Sequence, residues 1–174
     1  MLEGNKIRLR ALQRKDFNQT YKWHNDINLK NLTLSHPFPV TDVLEEKWII
    51  NILEDKSNRN IYFGIENKNN NELVGIIFLS GINNIHQTCW LGISIGENEA
   101  RGKGFGTEAI KLIIDYAFNN LNLRKVSLEV VNSNKTAIET YKKIGFNIEG
   151  EMKMQVYING ILYNNLIMSI FREH

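Results

Sequence analysis

The spacing of hydrophobic positions changes period several times along the chain, and each change marks an element. Lys6 to Ala11 alternates, with Ile7, Leu9 and Ala11 on one face and Arg8 and Arg10 on the other, which predicts a strand. Asp16 precedes a helical run through Phe17, Thr20, Tyr21 and Trp23 and is its expected cap. Asn25-Asp26 reads as a turn, and residues 28–40, which hold both prolines (Pro37 and Pro39), as irregular chain. Thr41 caps a second helix whose inward side is Leu44, Trp48, Ile49, Ile52 and Leu53. Residues 60–65 and 73–80 are strands joined by the polar turn 67–71, and Thr88–Ile95 is a third. A helix follows at 107–119, with Ile110, Ile113, Ile114, Ala117 and Phe118 at helical spacing. Then come a β-branched strand at Lys125–Val131, a helix between the cap Asn134 and the stop Gly145, and two strands around Asn159-Gly160, a strong hairpin signal.

Short turns between strands make an antiparallel sheet, whereas strand, helix and strand from Thr88 to Val131 make one parallel step. The pattern predicts a single domain over residues 1–174 of α/β (α+β) class. Its sheet is twisted, mixed and mostly antiparallel, with helices on both faces.

With 174 residues, 43% of them hydrophobic and 23% charged, the chain is large enough for a core of its own and ordinary in make-up. A net charge of +2 without a dense Lys/Arg block speaks against an extended nucleic-acid surface. The single cysteine, Cys89, leaves no internal disulfide or cysteine-cluster metal site, and its apolar strand suggests an inert thiol. No His-x-x-x-His or Cys/His spacing points to a metal. Polar N-terminal residues and the lack of an apolar stretch of membrane length predict neither signal peptide nor span, so the expected location is cytoplasmic.

The chemistry concentrates where the third strand meets its helix, in Ala100-Arg-Gly-Lys-Gly-Phe-Gly-Thr-Glu-Ala-Ile110. Three glycines let the main chain approach a ligand closely. The unpaired amides of the first helical turn then face an anion, beside Arg101 and Lys103. The spacing misses the nucleoside triphosphate loop and the dinucleotide fingerprint. What remains is Arg101-x-x-Gly104-x-Gly106. Downstream, Asn134-x-x-Ala137-x-x-x-Tyr141-x-x-x-Gly145-Phe146 sets Ala137 and Tyr141 one turn apart on a helix.

Together and in this order, the two stretches resemble the two cofactor motifs of the GCN5-related N-acetyltransferase (GNAT) family. The Asn159-Gly160 hairpin, with Asn83 to His86 and Leu121 to Lys125, is similar to the branch of ribosomal-protein N-terminal acetyltransferases and spermidine N-acetyltransferases. The resemblance implies an acetyl-coenzyme A-dependent acetyltransferase whose parallel strands splay to admit the cofactor. It implies that Gly102, Lys103, Gly104, Phe105, Gly106 and Thr107, beside Arg101, hold the pyrophosphate, and that Ile93, Ser94 and Ile95 pair with the pantetheine arm. Asn132, Asn134 and Ala137 would lie near that arm, and Tyr141 would protonate the leaving sulfur.

A protonated amine must lose a proton before it attacks, so a base is needed. Spermidine-type members tend to carry a glutamate near the position of Trp90; this departure bears on both the base and polyamine specificity. His86 is the candidate base, acting through water, with His24 and His36 as further candidates. The acceptor is a small-molecule or peptide amine: a polyamine such as spermidine, a ribosomal-protein N-terminus, or an amino sugar or aminoglycoside. Asp26, Asp42, Glu45, Glu46, Glu54 and Asp55 would line a polyamine cavity or simply face solvent. A reading of a different class is a non-catalytic acetyl-coenzyme A-binding module. Assembly stays open; family members are often dimers or larger, and the C-terminal hairpin would be the interface of a homo-oligomer.

Overall fold

Alternating and β-branched runs form eight strands in the computed structural model, which describes residues 1–173. They are β1 (Leu2–Glu3), β2 (Ile7–Arg10), β3 (Ile61–Asn67), β4 (Glu72–Asn83), β5 (Thr88–Ile95), β6 (Lys125–Val131), β7 (Asn147–Ile158) and β8 (Ile161–Phe171). One sheet joins them in the order β1-β2-β3-β4-β5-β6-β8-β7. Every neighbouring pair is antiparallel except β5 and β6. Among the described residues there are also five α-helices: α1 (Phe17–His24), α2 (Ile27–Thr33), α3 (Asp42–Glu54), α4 (Phe105–Asn119) and α5 (Lys135–Ile144).

Side chains alternate across β5, and the two faces feed two cores. Cys89 and Leu91 belong to the larger one, with Ile93 and Ile95 packed against it, beneath Ala109, Ile110, Ile113 and Ala117 of α4 and Ile138 of α5. The opposite face carries α1 to α3. There Trp23 and Leu29 pack with Leu73 and Ile76, and Trp48, Tyr62 and Phe78 close over them. Gly92 faces this second core, where an added Cβ would collide with the Phe78 ring. The predicted sheet class and two-sided helix arrangement are both present.

Four local expectations change. Residues 28–40 are not all irregular: Asp26 accepts from Asn28 N and Leu29 N and so starts α2. Thr41 caps α3 as predicted, through Leu44 N at 3.2 Å, but the buried stripe is rotated. Glu45 and Ile49 are buried, while Leu44 and Leu53 are exposed, because α1 covers the Glu45 side.

Asp16 does not cap α1 through its side chain. Instead it receives both terminal nitrogens of Arg10 at 2.8 and 2.9 Å, and Gln13 N at 2.8 Å. Arg10 Nε also donates to Glu66 Oε2 at 2.5 Å. Arg10, predicted to face outward, is therefore the centre of a buried charge network, and Ala11 is the exposed residue. The bond to Asp16 leads in raising the guanidinium above its ordinary value.

Candidate active site

The parallel step is short. Thr88, Cys89 and Trp90 pair with Lys125, Val126 and Ser127, and beyond them the strands part. On its other side β5 stays bonded to β4 through Ile95. The stretch Ile93–Ile95 thus has one strand edge free, facing the gap between β5 and β6.

The glycine loop lies at the end of β5. Gly102 and Gly104 have φ of +73° and +85°, a left-handed backbone that other residues adopt only at a cost, and Gly104 is the cap of α4. Helical bonding begins with Glu108 N on Gly104 O at 3.1 Å. Phe105, Gly106 and Thr107 therefore present first-turn amides without intrahelical acceptors. A Cβ at Gly102 would meet nothing within 4 Å, so the loop borders open space. The helix starts two residues earlier than predicted, which brings Phe105 and Gly106 into the first turn.

Two contacts fix this cradle. Lys6 Nζ donates to the Lys103 carbonyl at 3.1 Å, and Lys6 N to the Glu108 carboxylate at 3.0 Å. Arg101 turns its Nε onto the Ile95 carbonyl at 3.0 Å and one terminal nitrogen onto Gly96 O at 3.3 Å. Its side chain fastens loop to strand, a role beyond the predicted added charge.

Asn134 caps α5 by accepting from Ala137 N at 3.2 Å, and Gly145 ends it with φ of +117°. Asn132 Oδ1 is buried without a hydrogen-bond partner. Tyr141 packs on Phe146 with ring centroids 5.8 Å apart. Burial pushes its phenol up to about 12, so it is protonated throughout the neutral range.

On the face of α1 to α3, a cavity of about 630 Å³ reaches Gly92, Ile93 and Ser94. Its walls include His24, His36, Glu45, Trp48, Tyr62 and Phe78. A smaller hollow of about 310 Å³ lies between α2 and the β7–β8 turn, against Val131, Ser133 and Asn134. Two of the three candidate histidines, His24 and His36, are thus brought to the wall of the larger of these two cavities. His86 is not. It sits in the exposed turn before β5, its carbonyl held by Arg124 Nε at 2.9 Å. Five residues of strand, roughly 16 Å, separate Thr88 from Ile93, and His86 lies beyond Thr88.

Of the six acidic residues considered for the cavity, only Glu45 lines it. Sequence reasoning missed Glu129, which lies two residues beyond Ser127 on β6 and by alternation faces the same side as Trp90. Its Oε2 accepts from Asn165 Nδ2 at 2.7 Å. Glu129 stands on the predicted strand facing away from its apolar side, so its position was available in the sequence.

Residues 6–147 match the family model of the acetyltransferase (GNAT) domain. The chain belongs to the GNAT acetyltransferase family. It is 33% identical over 173 residues to spermidine N(1)-acetyltransferase of Escherichia coli (strain K12), an alignment covering 99% of this chain and 90% of that one. The corresponding protein of Vibrio cholerae is 33% identical over 157 residues, covering 90% of this chain and 88% of the relative. A crystal structure of spermidine N-acetyltransferase from Vibrio cholerae in complex with CoA and spermine superposes with a TM-score of 0.87 at 30% identity, covering 95% of each chain.

As a GNAT member the protein is an acyltransferase that uses acetyl-coenzyme A, which sets aside the non-catalytic reading. The residues present suit that co-substrate. The open cradle at Gly102 and the first-turn amides suit a pyrophosphate, and the orphaned Asn132 Oδ1 suits an amide N–H of the pantetheine arm. Among the described residues no helix is long and apolar enough to cross a membrane.

Proposed function

We propose that the chain, acting as one catalytic domain over residues 1–174, transfers an acetyl group from acetyl-coenzyme A to a primary amine of a polyamine such as spermidine. The observation that carries the acceptor is the likeness to the Vibrio cholerae enzyme seen with CoA and spermine, which extends over 95% of both chains.

Each part of the site then has a task. The amides from Gly102 to Thr107 hold the pyrophosphate, with Lys103 and the remaining Arg101 donor adding positive charge. The free edge at Ile93, Ser94 and Ile95 pairs with the pantetheine arm as an added strand would. Asn132 accepts from the arm, while Asn134 and Ala137 shape the wall beside it. Tyr141 gives its proton to the sulfur as the carbon–sulfur bond breaks; its raised value keeps that proton in place until it is needed.

A second acceptor, an amino sugar, draws support from the cavity wall. Trp48 meets Tyr62 edge-on with centroids 6.2 Å apart, Tyr62 stacks on Phe78 at 5.1 Å, and together they offer a sugar ring apolar aromatic surface. The test is thiol release from acetyl-coenzyme A with spermidine, spermine, an N-terminal alanine peptide, amino sugars and an aminoglycoside. Turnover on spermidine or spermine is expected. Turnover confined to amino sugars would replace the polyamine reading, and silence on every amine would end both.

A further inference from the structure

At the wall of the acceptor cavity, His24 and Glu45, with Thr20 buried behind them, are arranged like a proton-transfer device. His24 Nδ1 lies 2.7 Å from Glu45 Oε2, and Thr20 Oγ1 lies 2.5 Å from Glu45 Oε1. Glu45 is fully buried, so both of its oxygens are engaged and the carboxylate cannot swing out to a ligand. A neutral imidazole that donates Nδ1–H to the Glu45 carboxylate leaves a lone pair on Nε2, at the opposite side of the ring. Trp48 meets the ring edge-on, at 4.5 Å and 84°, and fixes its plane. The His24 side chain keeps 32% of its surface exposed, and it shares the cavity wall with Ile93 and Ser94 at the free edge of β5.

The other ionisable groups on that wall are less suited to take a proton. Lys30 from α2 has its Nζ on the Phe38 carbonyl at 2.5 Å. Tyr62 from β3 is a phenol that burial, with Asp55 adding to it, holds protonated. His36, in the segment after α2, is exposed and lies tilted against Phe38. Among the described residues of that wall, only His24 combines an imidazole with an orienting carboxylate.

We propose that His24 is the base that deprotonates the acceptor amine, with Glu45 and Thr20 positioning it. This assignment rests on the acetyltransferase reading above. The ammonium gives one proton to Nε2, and the freed nitrogen lone pair forms the bond to the thioester carbon. As the carbonyl re-forms, the carbon–sulfur bond breaks and its electron pair leaves with sulfur, which takes the Tyr141 proton. The nitrogen sheds its second proton to solvent, from which Tyr141 is restored, and His24 releases the first. The balance is one amide, one free thiol and one proton.

The test compares wild type with His24→Ala, His24→Asn and Glu129→Gln, using spermidine and the best amine of the panel. It reads kcat, acetyl-coenzyme A affinity by tryptophan quenching, and rescue by added imidazole. The His24→Asn amide can still donate to Glu45, which keeps the α1–α3 tie without supplying a base. Both His24 variants should lose roughly 10²–10⁴-fold in kcat with unchanged cofactor affinity, and imidazole should restore part of the loss in His24→Ala only. A His24→Ala enzyme that turns over as wild type does overturns the proposal. So does loss in both variants without rescue while Glu129→Gln is also inactive, because Glu129 is then the better base. A wild type silent on every amine defeats the functional reading first, and this assignment with it.

Discussion

The two sides of the splayed strands are built on different principles. The side proposed for the cofactor is made mainly of backbone: two positive-φ glycines, the first-turn amides of α4 and the free edge at Ile93–Ile95, all within a short span of chain. The side proposed for the acceptor is made of side chains from α1, α2, α3 and three strands, gathered from Trp23 to Ser94. A backbone site needs only glycines and a strand-to-helix turn, and many different side chains can surround it. A side-chain site changes its chemistry with each substitution. The shared reactant should therefore meet a constant half of the molecule, and the variable amine a changeable half.

The largest effect is expected at Tyr141, the proposed acid. Tyr141→Phe should lower kcat by roughly 10²–10⁴-fold while leaving acetyl-coenzyme A affinity intact; equal losses in both would make the residue a cofactor contact. Its phenol also has a signature in alkaline unfolding. The folded value is raised from 10.0 to about 12, so the stability it contributes is complete below pH 10 and is lost as pH rises through 12. Tyr141→Phe should remove that part of the alkaline decline in urea unfolding curves.

Beneath the acceptor side, Arg10→Met would strand the buried Asp16 and Glu66. A cost of about 3–5 kcal/mol is expected, seen as a fall of roughly 10 °C in Tm. On the cofactor side, Gly104→Ala forces a side chain into φ of +85°. With strain of about 1–2 kcal/mol, acetyl-coenzyme A should bind roughly tenfold more weakly by calorimetry, at unchanged amine KM.

On the acceptor side, Trp90→Glu places a carboxylate on the exposed face near the gap. It should lower KM for spermidine by about tenfold through a charge-assisted contact and leave an amino sugar unaffected. The smallest effect is expected at Cys89. Burial pushes its thiol up to about 12, so a disulfide reagent should find it only after unfolding.

The same division explains what the sequence made legible. The glycine loop, the Asn134 cap, the Gly145 stop and the Asn159-Gly160 turn all depend on local backbone chemistry, and each was readable in place. Glu45 was named for the cavity, but its burial was not readable, because that comes from Thr20 and His24 on another helix; as a lone residue on α3 it looks solvated. Arg10 was assigned outward by alternation, since nothing local reveals that Asp16 and Glu66 would close around it. The α2 helix has only seven residues, too few to display a period, although its Asp26 cap was a usable signal. His86 was nominated for its nearness in sequence to β5, but it precedes the wrong end of that strand.

The strand order carries a consequence for biosynthesis. β8 is made after β7, yet it lies between β6 and β7 and pairs with β6 over seven residues, from Lys125↔Phe171 to Val131↔Asn165. While a ribosome works through the roughly 40 residues after Val131, a few seconds at ordinary elongation rates, the outer edge of β6 lacks the strand that will cover it. Its run of Val126, Leu128, Val130 and Val131 is the kind of open apolar edge that recruits other chains. A stop codon just past Gly160 should therefore yield nascent protein that clumps or is captured by chaperones, rather than a soluble enzyme missing one strand.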